Sequence, residues 1–258
     1  MKDTRDKLSH SQACRMINCT RTNTYYQKRL PEKDAIVKMA IEQVLGHSRK
    51  GRIKVIKLVQ KKYPTIGSSR IRRVYEQSGF ALSKKLRRRI KDNPANPIGI
   101  PYVSNEEWAM DFMSDALCNG RKIRTLNVVD HFNRKCLGIR VGFNMPAKIV
   151  IQYCAQFIEM HGKPKRIRTD NGPEFRSKVF QKWLENNDIT WSRIQKGKPQ
   201  QNAIIERFNK TYREDVLDAN LFNSIEQAND ITHVWVDDYN NERPHQSLNY
   251  QTPSNYAA

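Results

Sequence analysis

From residue 105 onward the hydrophobic pattern changes period in a fixed order, and that order leaves few folds open. Residues 107–113 alternate, with Trp108, Met110 and Phe112 facing one way and Asp111 the other. Residues 125–129 and 137–141 are two more β-rich runs with short turns between them, so the three runs read as an antiparallel meander. Residues 147–161 then follow a helical period, with Val150, Tyr153, Cys154, Phe157 and Ile158 along one side. A short strand at 166–169 ends at Asp170. After it come a helix at 177–186, a strand at 189–193, a helix from about 200 to 215, and a last helix over 224–239 before an irregular tail.

The order βββ-α-β-α-β-α is that of an RNase H-like fold: an α/β core with a mixed five-stranded sheet flanked by helices. In this layout the first and fourth strands are neighbours, and the helix after the fifth packs by their ends. Three acids occupy those places. Asp111 sits in the first strand, Asp170 at the end of the fourth and Glu206 on the helix, with 58 and 35 residues between them. Carboxylates held together repel one another unless a cation binds between them, and hard oxygen donors suit Mg²⁺ or Mn²⁺. Two such ions, roughly 3.5–4 Å apart, can activate the attacking oxygen and stabilise the leaving oxygen of a phosphodiester. Asn202 and Arg213 stand four residues before and seven after Glu206, so a continuous helix puts all three on one face, with Lys210 beside them. Lys210 and Arg213 would then reach DNA phosphates.

Charge separates this region from what precedes it. The chain carries a net +20, yet the first 100 residues hold 25 of the 46 Lys and Arg and 7 of the 26 Asp and Glu. A field of one sign on that scale invites a polyanion, so the N-terminal third is the expected DNA-holding part. Residues 1–30 read as a helix-turn-helix. Ser9 to Gln12 has capping-box spacing and opens a helix to Ile17, and Thr20 caps a second helix with Arg21 and Asn23 near its start. Residues 34–45 and 51–62 are helical by period, with Ile53, Ile56 and Val59 expected on the inner face. Ser68 opens a further helix with Ile71, Val74 and Tyr75 inside and Arg70, Arg72 and Arg73 outside. The densest basic run, residues 84–91, contains Lys84, Lys85, Arg87 and Arg88, and can lie along phosphates without reading bases. Asn93-Pro94-Ala95-Asn96-Pro97 reads as a linker. The expected division is a basic helix-turn-helix region at 1–95, a linker at 96–104, the catalytic core at 105–220, and a C-terminal helix and tail at 221–258. Five scattered cysteines without a signal peptide point to a reduced cytoplasm, and no apolar run approaches a membrane span.

Three blocks resemble the signatures of retroviral-integrase-type transposases: Trp108-Ala109-Met110-Asp111-Phe112, Thr169-Asp170-Asn171-Gly172-Pro173-Glu174-Phe175, and Gln201-Asn202-Ala203-Ile204-Ile205-Glu206-Arg207-Phe208-Asn209. Residues 239–248 with Thr252-Pro253 resemble the C-terminal block of the second-frame (OrfB) products of the insertion sequence three family. The resemblance spans residues 105–255 closely and 1–95 more loosely. It implies a DDE recombinase in which Asp111, Asp170 and Glu206 ligate two Mg²⁺. Water would cut at an element end, and the freed 3′-hydroxyl would attack another phosphodiester. It also implies a circular copied-out intermediate, double-stranded DNA partners (terminal inverted repeats and target), a homo-oligomer on DNA, and a nucleoid-associated, cytoplasmic protein. Asn202 and Arg213 match the family's polar and basic positions on the glutamate helix. A first-frame (OrfA) partner or fused segment would supply end recognition and dimerisation. The integrases' His-His-Cys-Cys zinc module has no counterpart in spacing.

Two other readings compete. A DNA-binding protein without catalysis would not need all three acids, and a cellular RNase H-like nuclease would not need the basic third or the Arg243-Pro244-His245 block. Among the other acids, Asp130 reads as a turn former and Glu174 as an acid at a helix N-terminus. Glu107 and Asp115 are the nearest rivals to Asp111. Trp183 and Trp191 are expected in the core.

Overall fold

β-branched and aromatic residues at alternate positions dictate strands over Glu107–Ala116 (β1), Lys122–Asp130 (β2) and Cys136–Gly142 (β3), joined by short turns. The computed structural model describes residues 9–18, 30–46, 50–82, 101–194 and 199–256. Arg166–Thr169 (β4) and Thr190–Arg193 (β5) complete one sheet in the order β3-β2-β1-β4-β5. The meander is antiparallel, whereas β4 runs parallel to both β1 and β5. The mixed five-stranded sheet is therefore as the sequence predicts, with β1 in the middle.

Parallel neighbours require covered faces, and both faces are covered. On one lie Ala147–His161 (α5), the short Pro173–Arg176 (α6) and Lys178–Asn186 (α7). Their Val150, Phe157, Phe175 and Phe180 pack against Trp108, Met110, Leu126 and Ile167. On the other lie Ala203–Tyr212 (α8) and Ile225–Asn241 (α9). There Ile205, Phe208, Tyr212, Trp235 and Tyr239 meet Ala109, Met113 and Val129. The edge strand β3 is closed by α9. The Asn240 amide accepts from Cys136 N at 2.8 Å and donates to Cys136 O at 2.9 Å, which satisfies backbone groups an open edge would leave for another strand. The last helix is thus part of the core layer.

The helix predicted over 200–215 is not uniform. It starts as a 3₁₀ turn at Pro199–Asn202, runs as α8, and widens to a π turn at Arg213–Leu217. The wide turn buries Asp215, Val216 and Leu217 in succession. It brings the Asp215 carboxylate to Arg243 Nη1 at 2.5 Å and Trp235 Nε1 at 3.2 Å. The wide turn departs from the regular helical repeat where this long-range ion pair forms.

The N-terminal elements are His10–Met16 (α1), Leu30–Leu45 (α2), Arg52–Lys62 (α3) and Ser68–Gln77 (α4). The capping box at α1 is present, with the Ser9 hydroxyl accepting from Gln12 N and the Gln12 amide accepting from Ser9 N. The second helix expected near residues 20–28, the basic run 84–91 and the linker up to residue 100 lie outside the described residues. Helices α2 to α4 share a small core of Val37, Ile41, Val55, Val59, Ile71, Val74 and Tyr75. The inner face of α3 differs from expectation. Val55 and Val59 are buried and Ile53 is exposed, because the stripe that meets both neighbouring helices is set by an i, i+4 pair rather than by the three-residue spacing. The bundle touches the core through Lys50 Nζ, 3.6 Å from Asp238, and Lys61 Nζ, 3.3 Å from Glu242. Among the described residues, no helix is long and apolar enough to cross a membrane.

Gly138 marks the closest approach of β3 to α5. A Cβ there would sit 2.1 Å from Phe157 Cε1. Gly138→Ala is expected to destabilise the protein by about 1–3 kcal/mol through overpacking. Adding Phe157→Leu should recover part of the loss, read from urea unfolding midpoints.

Candidate active site

Asp111 projects from the middle of the central strand on the α8 side of the sheet, half-buried. Its Oδ1 accepts from Phe112 N at 2.9 Å and its Oδ2 from Asn209 Nδ2 at 2.8 Å. Asn209 is in turn held by Asn127 Nδ2, 2.7 Å from its Oδ1, and Asn127 is the residue directly across from Asp111 in the β1–β2 register. Burial pushes the Asp111 carboxyl up to about 6, and the charges of Asp170 and Glu206 push the same way against the Phe112 and Asn209 hydrogen bonds. The expected trio is therefore close enough to interact.

Asp170 lies exposed at the end of β4, where its Oδ1 accepts from Gly172 N at 3.0 Å and turns the chain toward α6. Space at Gly172 is tight: a Cβ would stand 3.1 Å from Asp170 Oδ1 and 3.3 Å from Glu174 Oε2, so both carboxylates would have to shift slightly. Glu174 stands in the first turn of α6, as expected, and its carboxylate pairs with Arg124. Glu206 is exposed in the first turn of α8. Among the described residues, no three His, Cys, Asp or Glu side chains are drawn together tightly enough to hold a metal ion.

A buried ionic group sits at the start of β1. Glu107 is 1% exposed, with His131 Nδ1 at 2.6 Å, Arg166 Nε at 3.2 Å and Arg168 Nη2 at 2.6 Å. Burial alone would raise the Glu107 carboxyl, but the His131 hydrogen bond and the Arg168 charge outweigh it and hold the group below its ordinary value. Arg168 Nη1 also donates to Gln201 O at 2.8 Å, tying β4 to the segment that leads into α8. Asp130 accepts from Asn105 N and Phe132 N, both at 2.7 Å, as a turn former does. Trp183 and Trp191 are partly buried at the rim of the α5–α7 core.

The expected DNA-contact residues fare unevenly. Arg21, Asn23, Lys84, Lys85, Arg87 and Arg88 lie outside the described residues. Arg70 is exposed on α4, Arg72 lies 3.4 Å from Glu76, and Arg73 grips both Asp34 oxygens at 2.7 Å. The broken helix separates the three residues expected on one face. Asn202 is buried in the 3₁₀ turn, with its Oδ1 unpartnered. Arg213 folds onto the end of β1, donating to Ser114 O at 2.9 Å with Asp115 at 3.9 Å and Asp218 at 3.6 Å. Lys210 stays exposed, 3.9 Å from Glu214. Sequence reasoning passed over Asn127 and Asn209. A polar residue inside an otherwise apolar strand, and an asparagine one turn past Glu206, were the available signals.

Because its folded-state value is raised, Asp111 opposes folding once ionised. The opposition is absent below the unfolded value of 3.8 and complete as pH rises past about 6. Asp111→Asn should match wild type near pH 4 and be more stable at pH 8 by about 1–3 kcal/mol in the presence of EDTA, read from urea midpoints. Asn209→Ala should raise the Asp111 carboxyl further, visible in its ¹³C titration.

Known proteins resemble this chain in sequence and in fold. Residues 101–199 match the integrase core domain, and residues 187–253 match a second model of the same description. The uncharacterized 31.7 kDa protein of insertion element IS407 from Burkholderia multivorans is 33% identical over 97% of this chain and 91% of its own length. The uncharacterized 39.2 kDa protein of insertion element IS476 from Xanthomonas euvesicatoria is 32% identical over 97% of this chain and 73% of its own. The transposase of IS904 from Lactococcus lactis is 28% identical over 70% of each. In fold, the chain resembles a chain of the simian T-cell lymphotropic virus intasome, solved by cryoEM with the PP2A regulatory subunit B56 gamma. The TM-score is 0.53 at 16% identity, over 84% of this chain and 74% of that one. With this identity over nearly the full length, an integrase core and three acids on the expected elements, the chain belongs to the insertion-sequence transposases, polynucleotidyl transferases of the DDE type.

Proposed function

We propose that this transposase cuts the ends of its element and joins them to target DNA at Asp111, Asp170 and Glu206, with two Mg²⁺ or Mn²⁺ ions. One observation carries the reading: Asp111, half-buried, has its carboxyl lifted to about 6 while facing two further carboxylates and no cationic side chain in hydrogen-bond contact. The donors are all oxygens, which fits a hard divalent cation. When bound, the ions supply charge for the attacking and leaving oxygens of the phosphodiester. The chain's own groups do the positioning. Asn209 fixes the Asp111 carboxylate, the Gly172 turn fixes Asp170, and the Arg168–Gln201 bond fixes the approach to α8. Lys210 on α8, Arg70 on α4 and the basic run at 84–91 serve the DNA backbone. Joining two ends calls for at least two copies on DNA. A first-frame partner or fused segment supplies end recognition, and the work takes place at the nucleoid.

The test is strand transfer with labelled element-end DNA and Mn²⁺. Wild type should give joined products, and Glu206→Gln should lose them at least ~100-fold while retaining DNA binding. Equal product from both proteins would remove Glu206 from the chemistry, and no product from either, with the first-frame segment supplied, would sink the reading. In a second measurement at pH 7.5, Mn²⁺ should raise the urea midpoint of wild type and leave that of Asp111→Asn unmoved.

A further inference from the structure

On the neighbouring face of α8 from Glu206 lies a cavity of about 610 Å³. Its wall draws on four distant parts of the chain: Lys54 from α3, Arg134 from the β2–β3 turn, Arg207 from α8, and Arg243 with His245 from the segment after α9. Thr211 and Ser247 add hydroxyls, and among the described residues no carboxylate lines it. Of the buried acids nearby, Asp215 already serves Arg243 at 2.5 Å, and Asp130 acts on Arg134. Arg134 is in part committed to His131 O. Lys54 and Arg207 form no ion pair among the described residues.

His245 is set into this wall rather than hung on it. Its backbone N donates to Gln251 O at 3.0 Å, and its carbonyl accepts from Leu248 N at 3.0 Å and Tyr250 N at 2.8 Å. Its ring packs edge-on against Tyr239, centroids 4.7 Å apart, and hydrogen-bonds to the Tyr239 backbone. The other ring nitrogen, Nε2, is buried with no partner among the described residues.

We infer that this cavity is a phosphate-binding site, separate from the three carboxylates, that takes one phosphate-bearing nucleotide unit. The cations supply what a phosphate needs, and the volume exceeds that of a bare anion. His245 stands in the same wall, beside the hydroxyls of Thr211 and Ser247. Electrostatics agree with the geometry. Burial holds Lys54 down to about 8, with Arg243 and Arg207 adding to it, and burial together with Lys54 and Arg243 holds His245 down to about 3. Burial is the larger cause of both shifts; the neighbouring cations push the same way, and Asp215 opposes them at Lys54. The phosphate can come from bound DNA or from free phosphate. The DNA source rests on the function proposed above; the phosphate chemistry does not.

The full chain in EDTA, where no strand transfer can occur, separates the two. Inorganic phosphate and a 5′-phosphorylated element-end duplex are titrated against wild type, Lys54→Gln, Arg207→Gln and His245→Phe, with circular dichroism confirming that each is folded. Wild type should bind phosphate, and both charge variants should weaken it at least ~10-fold. If DNA supplies the phosphate, Lys54→Gln should also lower the slope of log K against log salt by about one. Lost phosphate binding with an unchanged DNA slope assigns the site to the free anion. Phosphate binding equal in wild type, Lys54→Gln and Arg207→Gln, or absent from wild type, overturns the site whatever the strand-transfer assay gives.

Discussion

The pairing of β1 on both of its edges is the constraint on which the rest of the molecule depends. It runs antiparallel to β2 and parallel to β4, so its side chains face two covered layers in alternation. Trp108 and Met110 enter one core, Ala109 and Met113 the other, and Asp111 shares the second set. A shift of one residue would turn the carboxylate into the α5–α7 core and bring apolar side chains into its place. The same strand therefore fixes the packing of both layers and the direction in which the Asp111 carboxylate points. Asn127, opposite Asp111 in register, carries that precision across to α8 through Asn209.

Buried charge is handled in two distinct ways. Glu107 has His131, Arg166 and Arg168 around it, and Asp215 has Arg243 and Trp235. These acids are neutralised within the chain and hold elements together. Removing one partner of such a pair costs about 3–5 kcal/mol, because the other is left uncompensated. Asp111 is handled otherwise, with neutral amide donors and two further carboxylates near it. The cavity on the adjoining face of α8 shows the converse, cations without an acid in its wall among the described residues. One helix thus borders a site of excess negative charge and a site of excess positive charge, which suits a protein that handles phosphodiesters and the metals that act on them.

Much of the architecture was legible because periodicity is a local property. The alternation over 107–113, the helical stripe over 147–161 and the turn at Asp170 each follow from neighbouring residues, and their order fixed the topology. Where a long-range contact competed with a local pattern, the local reading failed. The helix over 200–215 breaks into three kinds of turn, the last of them where Asp215 pairs with Arg243, 28 residues on. Arg213 consequently binds Ser114 O, and Ile53 faces solvent because the neighbours of α3 approach the Val55–Val59 stripe.

By itself the sequence determined which elements form, which three acids stand on strand, strand end and helix, and that the N-terminal third carries the positive charge. Each of these is set by spacing and composition along the chain. Only the tertiary structure decided that Asn127 and Asn209 hold Asp111, that Arg168 ties β4 to α8, and that Lys54, Arg207 and His245 meet around one cavity. Those groups are 82, 33 and up to 191 residues apart. No local pattern encodes such meetings, since they arise when two layers and a helical bundle close over a single sheet.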